Sequence, residues 1–206
     1  RTLTKLSHLE LDADQKVYVI LENCPLEHAK VGDDYKLLNC DDHRKFISRH
    51  GSNPDDYRPD IVHQCLLALM DSALNKAGKL QIYVRTQKNV TIEINPQCRI
   101  PRTYRRFAGL MVQLLHKFKI VASTGTDQEE KSSSAKNKVL MRVVKNPVTL
   151  YLPATAPKIA LEETDENEKL MRIENLIHSK LSDDKVKKSI VFVIGGFAHG
   201  ELKVDY

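Results

Sequence analysis

The sequence predicts an α/β fold, a layered sheet that is at least partly parallel. Three observations carry this. The apolar runs Val17–Leu21 and Ser189–Ile194 read as buried strands. Strand-like segments alternate along the chain with stretches of helical periodicity. The last apolar run feeds directly into the glycine turn Gly195, Gly196 and Gly200, and open α/β sheets build ligand sites in this way at their carboxyl edge. Such a turn is also an ordinary tight connection, and both readings stay open.

Taken in order, residues 1–16 read as a flexible leader. After the first strand, Lys36–Cys40 reads as a second, closed by Asp41, Asp42 and His43. That trio serves either as a helix cap or as metal ligands. Two adjacent carboxylates and one histidine make a poor ligand set, which favours the cap. Pro59 and Asp60 suit a helix start, and Ile61, Cys65, Leu66, Leu69 and Met70 continue it. Arg58 and Asp60 either pair with each other to fix this turn or hold a polar target. Leu80–Thr86 is a strand.

The stretch Val90–Ile120 then organises the rest. Val90, Ile92 and Ile94 alternate as in a half-buried strand, and Asn95-Pro96 ends it. Arg99, Arg102, Arg105 and Arg106 follow, with Thr103 placed to cap a helix. Phe107, Leu110, Met111, Leu114, Leu115 and Phe118 mark that helix's buried stripe. No acidic residue occurs between Glu93 and Asp127. Guanidinium forks and helix-start amides both suit phosphate, so the cluster reads as a platform for a nucleic-acid backbone, or else as a solvated basic helix. Residues 123–138, rich in Ser, Thr, Gly, Glu and Lys, form a flexible loop. Val139–Val144 and Ile159–Leu161 are strands, and Leu170, Ile173, Ile177 and Leu181 stripe a further helix. His199 reads as a loop histidine.

With 206 residues, 41% hydrophobic and 29% charged, the chain is long enough for a sizeable core. Its net charge of +5 is modest, so nucleic-acid affinity must come from local clustering. Scattered single cysteines suit a cytosolic or nuclear protein. No apolar run reaches the length of a membrane span, and no secretory signal is visible.

Several blocks together resemble a known family. They are Leu37–His43 (LLNCDDH), Arg58–Leu67 (RPDIVHQCLL), Leu74–Leu80 (LNKAGKL), Asn95-Pro96, Arg99–Thr103 (RIPRT) and Arg106-Phe107. In this order they resemble the eukaryotic Emg/Nep family of SPOUT, or α/β-knot, ribosomal RNA pseudouridine methyltransferases, over roughly residues 17–206. The resemblance implies a single SPOUT-like domain over 17–206, with helices on both faces of the sheet and a C-terminal trefoil knot. It implies S-adenosylmethionine as cofactor, small-subunit ribosomal RNA and pre-ribosomal assembly factors as partners, a homodimer, and a place in the nucleolus or nucleus. It implies RNA contacts by Arg58, Arg99, Arg102 and Arg106, with Arg105 added from the cluster itself. Asp60 and Arg58 would stand beside the target base. Gly195, Gly196 and Gly200 would form one wall of the cofactor pocket, and the loop at Asn146 a second. In the family the chain continues past the position of Tyr206 to close the knot, so the expected domain is C-terminally incomplete. A non-catalytic ribosome-assembly factor on the same fold is the rival reading.

Overall fold

Strand β1 (Val17–Cys24) is buried on both faces and carries the sheet. Its residues alternate: Val19 and Leu21 enter one core cluster, Tyr18 and Ile20 the other. β1 pairs in parallel with β4 (Leu80–Thr86) on one side and β9 (Ile190–Gly195) on the other, and β8 (Lys158–Leu161) runs parallel to β9. Beyond β4 the sheet continues antiparallel through β5 (Thr91–Ile94), β7 (Val139–Val144) and β6 (Lys119–Val121). The order is β6-β7-β5-β4-β1-β9-β8. The expected partly parallel α/β sheet is present.

This computed structural model describes residues 16–122, 138–161, 172, 175, 189–204 and 206. The leader except Lys16, the loop 123–138 except Lys138, the stripe at Leu170, Ile173, Ile177 and Leu181, and the expected knot lie outside them.

Among the described residues, one face of the sheet carries the α-helices. α1 (Arg44–Arg49) is a short surface helix. α2 (Pro59–Asp71) starts with proline in its first turn and buries Val62, Leu66 and Met70, one stripe at four-residue spacing. Leu66 is 1% exposed, and its truncation to alanine would cost about 2–5 kcal/mol. The short α3 (Ala73–Lys76) is capped by Ser72, whose Oγ accepts from Asn75 N at 3.1 Å. α4 (Tyr104–Lys117) buries Phe107, Met111 and Leu114 against the same cluster. The opposite face is covered, among the described residues, by a 3-10 turn (Val148–Tyr151) with Leu152, Ala156 and Leu202 rather than by a described helix.

Four expectations differ from the structure. Thr103 occupies the N-cap position of α4, but its side chain makes no capping bond. Phe118 does not extend the buried stripe: it is the C-cap, left-handed at φ 59 and 62% exposed. The strand expected at Lys36–Cys40 ends at Leu37, as β3 (Asp34–Leu37) of a hairpin with β2 (His28–Val31). It ends there because Asn39 Oδ1 accepts from the backbone N–H groups of Asp41 and Asp42, at 3.0 and 2.8 Å. Asn39 therefore shapes the turn that was assigned to Asp41, Asp42 and His43, and the His43 side chain makes no capping bond to α1.

Candidate functional site

The acid-free stretch is not acid-free in space. After β5, Cys98 and Ile100 turn inward, which leaves Arg99 and Arg102 on the surface. Arg99, Arg102 and Arg106, with Lys76, line a cavity of about 920 Å³ whose floor includes Met70 and Ile100. Asp71, at the end of α2, reaches the same cavity and pairs with Arg102 through Oδ2 and Nη1. Arg105 does not join this group. It lines a separate groove with Tyr35, Lys36 and Tyr104, since one residue along a helix turns the side chain by about 100° from Arg106.

At the start of α2, Arg58 donates from Nε and Nη2 to Oδ1 and Oδ2 of Asp60, at 2.8 and 2.7 Å. The bidentate pair holds the Asp60 carboxyl below the usual range, chiefly through these hydrogen bonds, and keeps Arg58 cationic. Both side chains remain about two-fifths exposed, at 40% and 45%. His63, one turn on, places Nε2 2.7 Å from the Pro101 carbonyl and stacks on Phe107 with ring centroids 4.5 Å apart. A carbonyl can only accept, so Nε2 carries the proton. His63 thus clamps the start of α2 to the start of α4, and brings the Arg58–Asp60 pair beside the arginine-bearing segment.

The third group lies at the carboxyl edge of the parallel strands. Gly196 N–H donates to Glu22 O at 2.7 Å. A Cβ at Gly196 would stand 2.3 Å from Cys24 Sγ, and one at Gly195 would stand 2.8 Å from the Phe197 ring. These two glycines are therefore required by packing within the protein. Gly200 has φ +111, a conformation natural to glycine. The Asn146 side chain is a bracket: its Oδ1 accepts from the Thr91 hydroxyl and its Nδ2 donates to Asn89 O at 2.6 Å. Beside this edge lies a cleft of about 580 Å³, walled by Glu22, Arg85, Asn89, Glu201 and Lys203; Gly195, Gly196, Gly200 and Asn146 are not among the residues that line it. Arg85 and Asn89 also border a second space of about 490 Å³ with Asn146 and Tyr206. Both volumes suit a small organic ligand. Among the described residues the buried Nε of Arg85 has no hydrogen-bond partner. His199 is exposed on the turn. Cys24 links this edge to α2: burial pushes its thiol up, and the neighbouring Cys65 adds to the effect.

No group of three His, Cys, Asp or Glu among the described residues is placed to hold a metal ion. Residues 19–206 match the family described as EMG1/NEP1 methyltransferase. The chain belongs to the EMG1/NEP1 methyltransferase family. It is 45% identical over 192 residues to the human ribosomal RNA small subunit methyltransferase NEP1, covering 93% of this chain and 70% of that protein. It is 45% identical over 203 residues to the Drosophila melanogaster protein of the same name, covering 98% and 75%. The fold is like that in the crystal structure of Archaeoglobus fulgidus Nep1 bound to S-adenosylhomocysteine, with TM-score 0.58 and 23% identity over 92% of this chain and 82% of that one.

For an EMG1/NEP1 chain, the sequence reading missed Asp71, His63, Glu22 and Arg85. Glu22 alone left a clear signal. It is a carboxylate directly after an apolar strand run (VYVIL), and a carboxylate buried there needs a cationic partner.

Proposed function

We propose that this protein methylates a ring nitrogen of a pseudouridine in small-subunit ribosomal RNA, with S-adenosylmethionine as cofactor. One observation carries the reading. In a chain of the EMG1/NEP1 methyltransferase family, three arginines line a single cavity at the start of α4, and His63 ties that segment to the helix that carries the Arg58–Asp60 pair at its own start.

Arg99, Arg102 and Arg106 bind backbone phosphates and set the register of an RNA hairpin. Their contacts offset the cost of turning the target base out of its stack, about a few kcal/mol. Asp60 is held ionised by Arg58, so it is a weak base. Its role is to orient the Arg58 guanidinium toward a uracil carbonyl, where negative charge develops as the ring nitrogen gives up its proton to solvent and takes the methyl group, leaving the sulfur neutral. The carbon-linked ribose of pseudouridine is what leaves that nitrogen free. The glycine turn at Gly195, Gly196 and Gly200 and the Asn146 loop hold S-adenosylmethionine, and the two polar spaces beside them, one walled by Glu201 and Lys203 and the other by Asn146, have the volume for it. When bound, the cofactor supplies a methyl group on a positively charged sulfur. Alignment of the two reactants by these walls contributes on the order of 7–11 kcal/mol.

The test is methyl transfer from labelled S-adenosylmethionine to a hairpin carrying pseudouridine, with a uridine hairpin as control. Transfer confined to the pseudouridine hairpin is the expected result. No transfer, with tight and salt-sensitive RNA binding intact, would overturn the enzyme and leave a ribosome-assembly factor.

A further inference from the structure

Hydrogen bonds at the carboxyl edge, joined through the residues Glu22 and Asn89, link its loops. The Gly196 N–H donates to the Glu22 carbonyl at 2.7 Å. The Glu22 carboxylate, on a residue 6% exposed, accepts from Arg85 Nη1 at 3.0 Å and from the Tyr206 hydroxyl. Arg85 Nη2 donates to Asn89 Oδ1 at 3.1 Å. The Asn89 carbonyl accepts from Asn146 Nδ2 at 2.6 Å, and Asn146 Oδ1 accepts from Thr91. The Glu22 and Arg85 side chains thereby tie the end of β1 to the β4–β5 turn, and the backbone carbonyls of Glu22 and Asn89 extend the link to the glycine turn and to Asn146.

General stability is a poor reason for this pair. Burying an ion pair costs desolvation that its attraction only partly returns, and apolar side chains of similar volume would serve the core as well. Glu22 follows an apolar run on the central strand, where such side chains are the norm. The pair sits where the strand ends meet the two clefts, and Arg85 borders both. Its guanidinium carbon also lies 5.8 Å from the centre of the Tyr206 ring, which steadies it from a further direction.

We propose that Glu22 and Arg85 are positioning residues for the cofactor. They fix the glycine turn against the Asn89 and Asn146 loops and so set the width of the cleft that takes the S-adenosyl group. This rests on the cofactor reading above. Neither residue touches the reacting atoms, and neither belongs to the RNA-facing cavity.

The experiment uses the full-length protein and two mild variants. Arg85→Lys keeps the charge but loses the fork that reaches both Glu22 and Asn89. Asn89→Gly removes only the far arm, at a residue with φ 58 where glycine is at ease. S-adenosylhomocysteine affinity is measured by calorimetry, and KM for S-adenosylmethionine and kcat on the pseudouridine hairpin. RNA affinity and melting temperature are taken alongside, with amide exchange at Gly196 read in the ligand-free protein. Both variants should bind S-adenosylhomocysteine about tenfold more weakly and raise KM in step, with kcat within about twofold and RNA affinity unchanged. The Gly196 amide should exchange about tenfold faster in Arg85→Lys. Unchanged affinity and exchange in both variants would overturn the proposal. So would RNA binding and melting temperature falling together with cofactor affinity, since that is the mark of a general structural role. A wild-type protein that binds no S-adenosylhomocysteine would instead overturn the cofactor reading, and the exchange arm would still report whether the brace exists.

Discussion

Asp60 accepts two parallel hydrogen bonds from Arg58, at 2.8 and 2.7 Å, across a single intervening proline. The planar fork fixes the guanidinium in direction as well as in place. An exposed pair of this kind contributes only about 0.2–1 kcal/mol to stability. Asp60→Ala should therefore lower the melting temperature by no more than about a few degrees, while turnover on a pseudouridine hairpin drops by about tenfold or more. Turnover and melting temperature measured on the same preparation decide the matter. A large thermal loss with turnover intact would make the pair a brace for the helix start and nothing else.

Asp71 sits among the cations of the arginine cavity and neutralises Arg102. Arg102→Ala and Arg106→Ala should each weaken RNA binding and reduce its salt dependence by about one unit of slope. Asp71→Asn should do the reverse, tightening RNA binding at low salt by releasing Arg102 for phosphate. Arg105→Ala should leave the hairpin slope nearly unchanged, because Arg105 lines a different groove. Titrations of affinity against salt on the four variants separate these outcomes.

The arginine cluster shows how far the sequence could be read. The central strands were legible because burial on both faces writes an uninterrupted apolar run, as in Tyr18–Leu21 and Ile190–Val193. α2 was legible from Pro59, Asp60 and the helical recurrence of Ile61, Cys65, Leu66, Leu69 and Met70, although the buried Val62 was not part of that pattern. What could not be read was any pairing across the fold. Asp71 lies 31 residues from Arg102, and Glu22 lies 63 from Arg85. Single-sequence patterns carry no such distances, and so the stretch without acids looked more cationic than it is. Arg105 was grouped with its neighbours by position along the chain, whereas the turn of a helix separates adjacent residues. The β2–β3 hairpin was within reach, since Gly32-Asp33 between two short runs is a turn signal and Gly32 takes φ 69. The glycine turn was found for an incomplete reason, because Gly195 and Gly196 are demanded first by Phe197 and Cys24.

Gly196 and Gly109 make a contrasting pair for the packing argument. A methyl group at Gly196 would run into Cys24 Sγ and the Glu22 carbonyl, at 2.3 and 3.3 Å. Gly196→Ala should destabilise the protein by about 1–3 kcal/mol and disturb the end of β1. Gly109 lies inside α4 with nothing within 4 Å of its missing Cβ. Gly109→Ala should stabilise by about 0.4–1 kcal/mol, by restricting the unfolded chain and favouring helix. Denaturant unfolding of the two variants should give opposite signs.

The β2–β3 hairpin docks on α4 through three rings. His28 and His116 stand edge to face with centroids 4.5 Å apart, and Tyr35 lies 5.8 Å from His28 and 4.5 Å from His116. Burial holds the His28 pKa below its ordinary value, the charge of His116 lowers it further, and Glu27 opposes both. A folded-state pKa below the unfolded value means that the fold prefers neutral His28. Its contribution is thus complete above the unfolded value of about 6.5 and is lost as the pH falls through the folded pKa. Acid then charges His28 beside His116 in a contact built for a neutral ring. The hairpin should loosen as the pH falls below about 6.5, seen as faster amide exchange in β2 and β3 relative to β1. In His28→Gln, which has no proton to gain, the dependence of unfolding free energy on pH between about 5 and 7 should flatten. Equal slopes in the wild type and the variant would show that the three-ring contact does not sense protons.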